Sequence, residues 1–271
     1  MDAGHELVVW NRTPEKAAAL VELGAVAAET PADAAVQAEA VIIMVADPAA
    51  LAEVTEGPTG IAAGAAGKTV IQMSTVDPAA VERLAAALGQ GAELLDAPVL
   101  GSLSEVEAGQ LLVFASGPDE LIQRWTPLLE TLGEVKRVGL LGMGTATKLV
   151  ANSILLAVLG ALGEALALAR GLGVERDAAF EVISETPLGA QADRRRGAVE
   201  MGEFPLRFEL SLARKDGDLI RAAAKRAGVE VRLAEAARRW FVDAEAAGWG
   251  ERDYSAVLSY ISSGSQANST T

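Results

Sequence analysis

Ala40-Val41-Ile42-Ile43-Met44-Val45-Ala46-Asp47-Pro48 is the stretch on which the fold turns. A continuous apolar run, followed at once by a residue able to cap a helix and then by Pro, reads as a buried strand feeding a helix. Pro lacks the N–H that a first helical turn cannot use, and the preceding Asp accepts from the free amides behind it. The phrase recurs at Glu6-Leu7-Val8-Val9-Trp10 before Thr13-Pro14 and at Thr69-Val70-Ile71-Gln72-Met73 before Asp77-Pro78. Thr30-Pro31 and Gly117-Pro118 mark two more helix starts. Strands that are apolar throughout, alternating with capped helices, predict an α/β fold with a parallel sheet covered on both faces.

The phrase stops near Gly144, where an Ala/Leu-rich helix begins and runs to about Arg170. Its most apolar part, Leu149 to Gly163, contains Asn152 and Ser153 and ends at Glu164. That is shorter than the roughly 20 apolar residues of a membrane span, so a buried helix is expected. Beyond it the periodicity gives helices near 176–185, 190–202, 209–227, 230–247 and 253–262, no strand, and a polar tail from Ser262. The chain thus divides into an α/β part, 1–141, and an all-helical part, 142–271.

Composition removes several chemistries. With 23 basic and 37 acidic residues the formal charge is −14, which repels phosphate backbones, and no nucleic-acid partner is expected. No Cys and a single His, His5, exclude thiolate metal sites and Cys nucleophiles and leave one imidazole for any triad or metal cluster; no metal is expected. The first residues lack a basic segment followed by an apolar one, so no signal peptide and no membrane association are expected, and the location expected is cytoplasmic. Hydrophobic residues make up 51% of the chain and aromatics 4%, so the cores are aliphatic.

Open parallel sheets bind ligands at the carboxyl ends of their strands. Strand Leu7 to Trp10 ends in Asn11-Arg12-Thr13. In a dinucleotide fold an acidic residue after the second strand pairs with a ribose 2′-hydroxyl, whereas an Arg accommodates a 2′-phosphate. Arg12 without a carboxylate beside it favours NADP over NAD; the plain alternative is a solvated surface Arg. No G-x-G-x-x-G turn occurs at these strand ends, and Gly142-Met143-Gly144 opens the long helix instead. Thr145, Lys148 and Asn152 share one face of that helix. Lys148 heads a long uncharged run, where desolvation would move an amine toward proton-transfer use, unless it snorkels to solvent. The Gly101-Ser102 turn after Asp96-Ala97-Pro98-Val99-Leu100 offers N–H groups and a hydroxyl to a small anion such as a carboxylate, or is simply a tight turn. In Ser74-Thr75-Val76-Asp77-Pro78, Asp77 caps a helix while Ser74 and Thr75 sit at a strand end.

Taken in order, these stretches resemble the β-hydroxyacid dehydrogenase family, which includes 3-hydroxyisobutyrate dehydrogenases and glyoxylate or succinic semialdehyde reductases. The likeness runs from Gly4 to Thr13, through Ser74–Pro78, Asp96–Gly109, Gly142–Lys148 with Asn152, to Lys215-Asp216. It implies a Rossmann-like dinucleotide-binding domain, here without the first βα unit, followed by a helical substrate and dimerisation domain. It further implies an NADP-dependent oxidoreductase that moves a hydride between NADPH and a small aldehyde or keto acid. Lys148 would be the general acid/base and Asn152 would orient the reacting oxygen. Asn11, Arg12, Thr13, Val45, Ala46, Thr75 and Lys215 would contact the cofactor, and Gly101 and Ser102 the substrate carboxylate. The implied partners are a small carboxylate-bearing aldehyde or hydroxyacid and a second copy of the chain, as a homodimer or homotetramer. The chain departs from the family pattern at Leu100, where many relatives carry Ser, and at Gly217, where Leu is usual. An imine reductase of the same fold, or a non-catalytic binding relative, are the alternative expectations.

Overall fold

The computed structural model describes residues 3–264. Their contacts divide the chain into two units, one ending at Lys148 and the other beginning at Leu149, a boundary seven residues past the one expected between 141 and 142.

The first unit holds eight strands: β1 (Val8–Val9), β2 (Val26–Ala27), β3 (Ala40–Ile43), β4 (Thr69–Gln72), β5 (Glu93–Asp96), β6 (Val99–Leu100), β7 (Leu111–Ser116) and β8 (Gly133–Gly139). Its helices are α1 (Ala18–Glu22), α2 (Pro31–Gln37), α3 (Pro48–Thr55), α4 (Ile61–Gly64), α5 (Pro78–Leu88), α6 (Leu103–Glu107) and α7 (Asp119–Leu129). The Pro-led starts hold at Pro31, Pro48 and Pro78, and each is capped as expected. Thr30 Oγ1 accepts from the Asp33 N–H, Asp47 Oδ1 from Ala50 and Asp77 Oδ1 from Ala80. Pro14 opens only a 3-10 turn, and Pro118 sits one residue ahead of α7.

β3, β4 and β5 run parallel and in register, Ala40 against Thr69 and Thr69 against Glu93. Their side chains alternate between two cores. Val70 and Leu94 join Ile43, Leu51, Val81 and Leu84 on one face; Ile71 and Leu95 join Val113, Leu121, Ile122 and Leu129 on the other. The sheet is covered on both faces, as an apolar strand pattern requires. It is not parallel throughout, however: β7 enters antiparallel to β5 and β6, and β8 then pairs parallel with β7. β1 and β2 form a separate two-stranded parallel sheet, so among the described residues β3 has β4 as its sole neighbour.

α8 (Met143–Gly171) runs out of the first unit. The second unit adds α9 (Arg176–Ser184), α10 (Gly189–Met201), α11 (Leu210–Ala227), α12 (Arg232–Ala244) and α13 (Val257–Ser263). Leu156, Leu159, Leu162 and Leu166 of α8 pack with Phe180, Phe241 and Leu258, which explains why so apolar a helix belongs in a core. The described part of this unit has no strand beyond an isolated bridge between Glu209 and Asp253. The polar tail expected from Ser262 begins inside α13 and otherwise lies outside the described residues.

Candidate active site

The start of α8 is tied to the sheet by buried polar groups. Asp96, ending β5, accepts the Thr145 N–H at Oδ2 and the Thr145 hydroxyl at Oδ1, both at 2.7 Å. Ser116, ending β7, accepts the Gly144 N–H at 2.8 Å and donates its hydroxyl to the Asp96 carbonyl at 3.0 Å. Two of the amides that a helix N-terminus leaves unsatisfied are thus capped from the sheet, and the carboxylate complements the positive end of the helix. Burial pushes the Asp96 carboxyl above the ordinary carboxylate range, opposed by the hydrogen bonds from Thr145, Ser116 and Gln72. Close approach needs a glycine: a Cβ on Gly144 would lie 2.4 Å from the Phe114 carbonyl oxygen and 2.6 Å from that of Asp96. Lys148, one turn beyond this anchor, is buried at 7% exposure.

Asn152 follows one turn later on the same helix. Within the second unit its Nδ2 donates to Asp216 Oδ2 at 2.7 Å, and Lys215 Nζ lies 2.9 Å from Asp216 Oδ1. The Asn152 Oδ1 is buried with no hydrogen-bond partner among the described residues. An acceptor held in that way suits a hydroxyl or ammonium hydrogen, because a buried orphan acceptor otherwise costs about 1–3 kcal/mol.

The strand ends place the residues expected at a cofactor. Asn11 Oδ1 accepts the Thr13 N–H at 2.9 Å and shapes the turn after β1. Arg12 projects from that turn, with both it and Glu53 largely exposed across a 3.4 Å pair, an arrangement that contributes little to stability and leaves the guanidinium accessible. Ser74 stitches the neighbouring ends: its hydroxyl accepts the Val45 N–H at 2.8 Å and donates to the Ile43 carbonyl, while Gln72 clasps the Ser74 backbone on both sides. Val45, Ala46 and Thr75 are thereby brought together at the ends of β3 and β4. This set of an exposed cation, small hydroxyls and backbone suits a phosphate-bearing dinucleotide.

The Gly101-Ser102 turn is filled from within. Glu105 Oε2 accepts the Ser102 N–H at 2.7 Å, the Ser102 hydroxyl at 2.7 Å and the Ser104 hydroxyl at 3.1 Å. The turn adjoins the α8 anchor, since Pro98 Cδ would lie 3.0 Å from a Cβ on Gly144. Sequence reasoning assigned no role to Asp96, Ser116 or Glu105. Glu105 had a legible signal, the S-x-x-E spacing of a capping box. Ser116 had none, because a Ser inside an apolar strand announces nothing about what it faces.

Residues 1–145 match the NAD-binding domain of 6-phosphogluconate dehydrogenase, and residues 142–261 match the NAD-binding domain of NADP-dependent 3-hydroxyisobutyrate dehydrogenase. The chain belongs to the β-hydroxyacid dehydrogenase family. Among β-hydroxyacid dehydrogenase relatives, an uncharacterised oxidoreductase of Bacillus subtilis is 36% identical over 96% of this chain and 93% of its own. Glyoxylate/succinic semialdehyde reductase 1 of Arabidopsis thaliana is 32% identical over 95% of this chain and 91% of its own. A solved 3-hydroxyisobutyrate dehydrogenase from Salmonella typhimurium superposes with a TM-score of 0.83 at 28% identity, covering 96% of this chain and 92% of its own. An imine reductase from Myxococcus stipitatus, at 22% identity and a TM-score of 0.65 over 96% of this chain and 92% of its own, shares the fold alone. As a β-hydroxyacid dehydrogenase the chain is an NAD(P)-dependent oxidoreductase of the hydroxyacid dehydrogenase and reductase kind.

Proposed function

We propose that the protein reduces small aldehydes and keto acids with NADPH, and oxidises the corresponding β-hydroxy compounds in reverse, with Lys148 as general acid/base. The single observation that carries this is a buried lysine on the first turns of a helix whose start is clamped by Asp96 and Ser116. A rigidly presented amine in a desolvated setting can donate a proton to the oxygen of a carbonyl under reduction and stabilise its developing negative charge. The nicotinamide cofactor, when bound, supplies the hydride. Asn152, whose buried Oδ1 has no hydrogen-bond partner among the described residues, would orient the reacting oxygen.

Asn11, Arg12 and Thr13 would hold the adenosine end, with Arg12 meeting a 2′-phosphate, and Val45, Ala46 and Thr75 would line the path toward the nicotinamide. Lys215, paired with Asp216, would contact the cofactor. Self-association through the exposed apolar side chains of α8, Val150, Ile154 and Leu168, is part of the same reading.

Replacing Lys148 by Met keeps the stem and removes the amine. The expected result is a loss of about 10²–10⁴ in kcat, with the Kd for NADPH, measured by fluorescence titration, within about twofold of wild type. Turnover within a few fold of wild type would overturn the assignment.

A further inference from the structure

A buried chain of polar side chains joins the carboxyl ends of β3 and β4 to the start of α8, all within the first unit. Its members, Gln72, Ser74, Asp96, Ser116 and Thr145, are each at most 1% exposed. At one end the Ser74 hydroxyl takes the Val45 N–H and gives to the Ile43 carbonyl. At the other, Asp96 takes the N–H and hydroxyl of Thr145, and Ser116 takes the Gly144 N–H. Gln72 stands between the two ends. Its Oε1 accepts the Ser74 N–H, and its Nε2 donates to the Ser74 carbonyl at 2.8 Å. β4 and β5 pair Gln72 directly with Asp96, on neighbouring strands about 4.8 Å apart, and the Gln72 amide is one of the donors that act on the Asp96 carboxyl. A primary amide suits this place because it carries an acceptor and two N–H donors, enough for both sides of Ser74 and for Asp96. Among the described residues none of these five side chains leaves a buried polar atom unpaired.

We infer that Gln72 is a positioning residue for Lys148: by tying the Asp96 carboxyl to the Ser74 backbone, it fixes the start of α8 relative to the strand ends proposed to contact the cofactor. This rests on the proposed reductase reading and deepens it. Reduction needs a hydride at the carbonyl carbon and a proton at its oxygen, so the amine must keep a set distance from the strand ends. An error of about 1 Å in such a spacing can cost about 10² in rate. Thr145 lies one turn before Lys148, and a first turn loosened from Asp96 carries the lysine with it. The Ser74 hydroxyl holds Val45 and Ile43 without help from Gln72, so the strand ends themselves survive its loss.

Gln72→Met keeps about the same volume and removes the amide. The kcat for reduction of glyoxylate or succinic semialdehyde should fall roughly tenfold to a hundredfold, with the Kd for NADPH within about threefold of wild type. Thr145→Val should lower kcat too, and the double variant should fall no further than the worse single one, because residues acting through one contact are not additive. An unchanged kcat in Gln72→Met, a Kd that rises in step with the loss, or losses that multiply overturn the inference. Amide hydrogen exchange reads the same link without turnover. In Gln72→Met the Thr145 N–H should exchange roughly tenfold faster or more, while the Ala50 and Ala80 N–H groups, capped by Asp47 and Asp77 in the same unit, keep their wild-type rates. Equal loss at all three is general destabilisation and overturns the role, as does an unchanged Thr145. Gln72→Asn decides the matter if the Met variant does not fold. It still offers an acceptor to the Ser74 N–H but, one methylene shorter, no longer spans from Ser74 to Asp96, so it should repeat the pattern; wild-type kcat and exchange there overturn the inference. Failure of wild type to oxidise NADPH with either aldehyde overturns the reductase reading instead, and the Thr145 exchange still decides Gln72.

Discussion

Asp96 shows how a single buried carboxylate can serve as a helix cap and as a pH-sensitive element. Burial raises its pKa above the ordinary 3.8, and the hydrogen bonds from Thr145 only partly offset this. The folded chain therefore holds this proton at pH values where the unfolded chain has released it. The stabilisation from that proton is complete below 3.8 and fades as pH rises through the elevated folded value. Asp96→Asn abolishes the titration and keeps an acceptor for the Thr145 N–H. Calorimetry should show the wild-type Tm gaining on that of Asp96→Asn as pH falls from 7 toward 4; a constant difference would contradict the raised value. At Arg12 the expectation concerns the cofactor. Arg12→Asp should raise KM for NADPH about tenfold or more through like-charge repulsion of the 2′-phosphate and change KM for NADH far less; equal effects on both would remove Arg12 from the 2′-phosphate. Arg12 and Lys148 could be singled out in the sequence because a lone charge in an apolar or strand-end setting stands out. Asp96 was visible only as part of a motif. Its role depends on Thr145, 49 residues away, a pairing that no local pattern encodes.

Elements were legible where local chemistry and tertiary need agree. Thr30, Asp47 and Asp77 cap the helices that their following prolines announce. β8 escaped because an edge strand with an exposed face, Gly133-Glu134-Val135-Lys136-Arg137-Val138-Gly139, mixes charge into its pattern and lacks a continuous apolar run. The reversal of β7 relative to β5 likewise has no mark in strand composition, since direction depends on how far the connecting chain reaches. At the start of α8 the decisive feature is Gly144, where any side chain would collide with two carbonyl oxygens of the sheet. Gly144→Ala must lift the helix from its anchor, and overpacking of that kind costs about 1–3 kcal/mol. Gly171, at the other end of α8, has nothing within 4 Å of the place a Cβ would take and no positive φ. Gly171→Ala should therefore leave stability unchanged or raise it by up to about 1 kcal/mol. Urea unfolding of the two variants side by side, with kcat for each, separates a loss at the anchor from a general intolerance of the helix; equal destabilisation would refute the close-packing argument.

At the scale of the molecule, the feature with most consequence is the division of the strands into two sheets. In the parallel β3/β4 pair, Ile43 and Glu39 give their carbonyls to Met73 and Thr69, so the odd-numbered residues of β3 face β4. Backbone groups alternate sides along a strand, and those of Ala40, Ile42 and Met44 therefore face the opposite edge. No described strand pairs there, and the side chains of Ile42 and Met44 are 45% and 58% exposed. The open edge predicts a particular pattern of amide hydrogen exchange. The Ile42 N–H should exchange orders of magnitude faster than those of Val41 and Ile43, its immediate neighbours in the same strand, and faster than those of the centrally placed Val70 and Ile71. The comparison within one strand is what makes the measurement informative: global unfolding would treat all three residues alike, whereas an unpaired edge exposes only every second amide. Uniform protection along β3 would mean that a strand does cover this edge in solution.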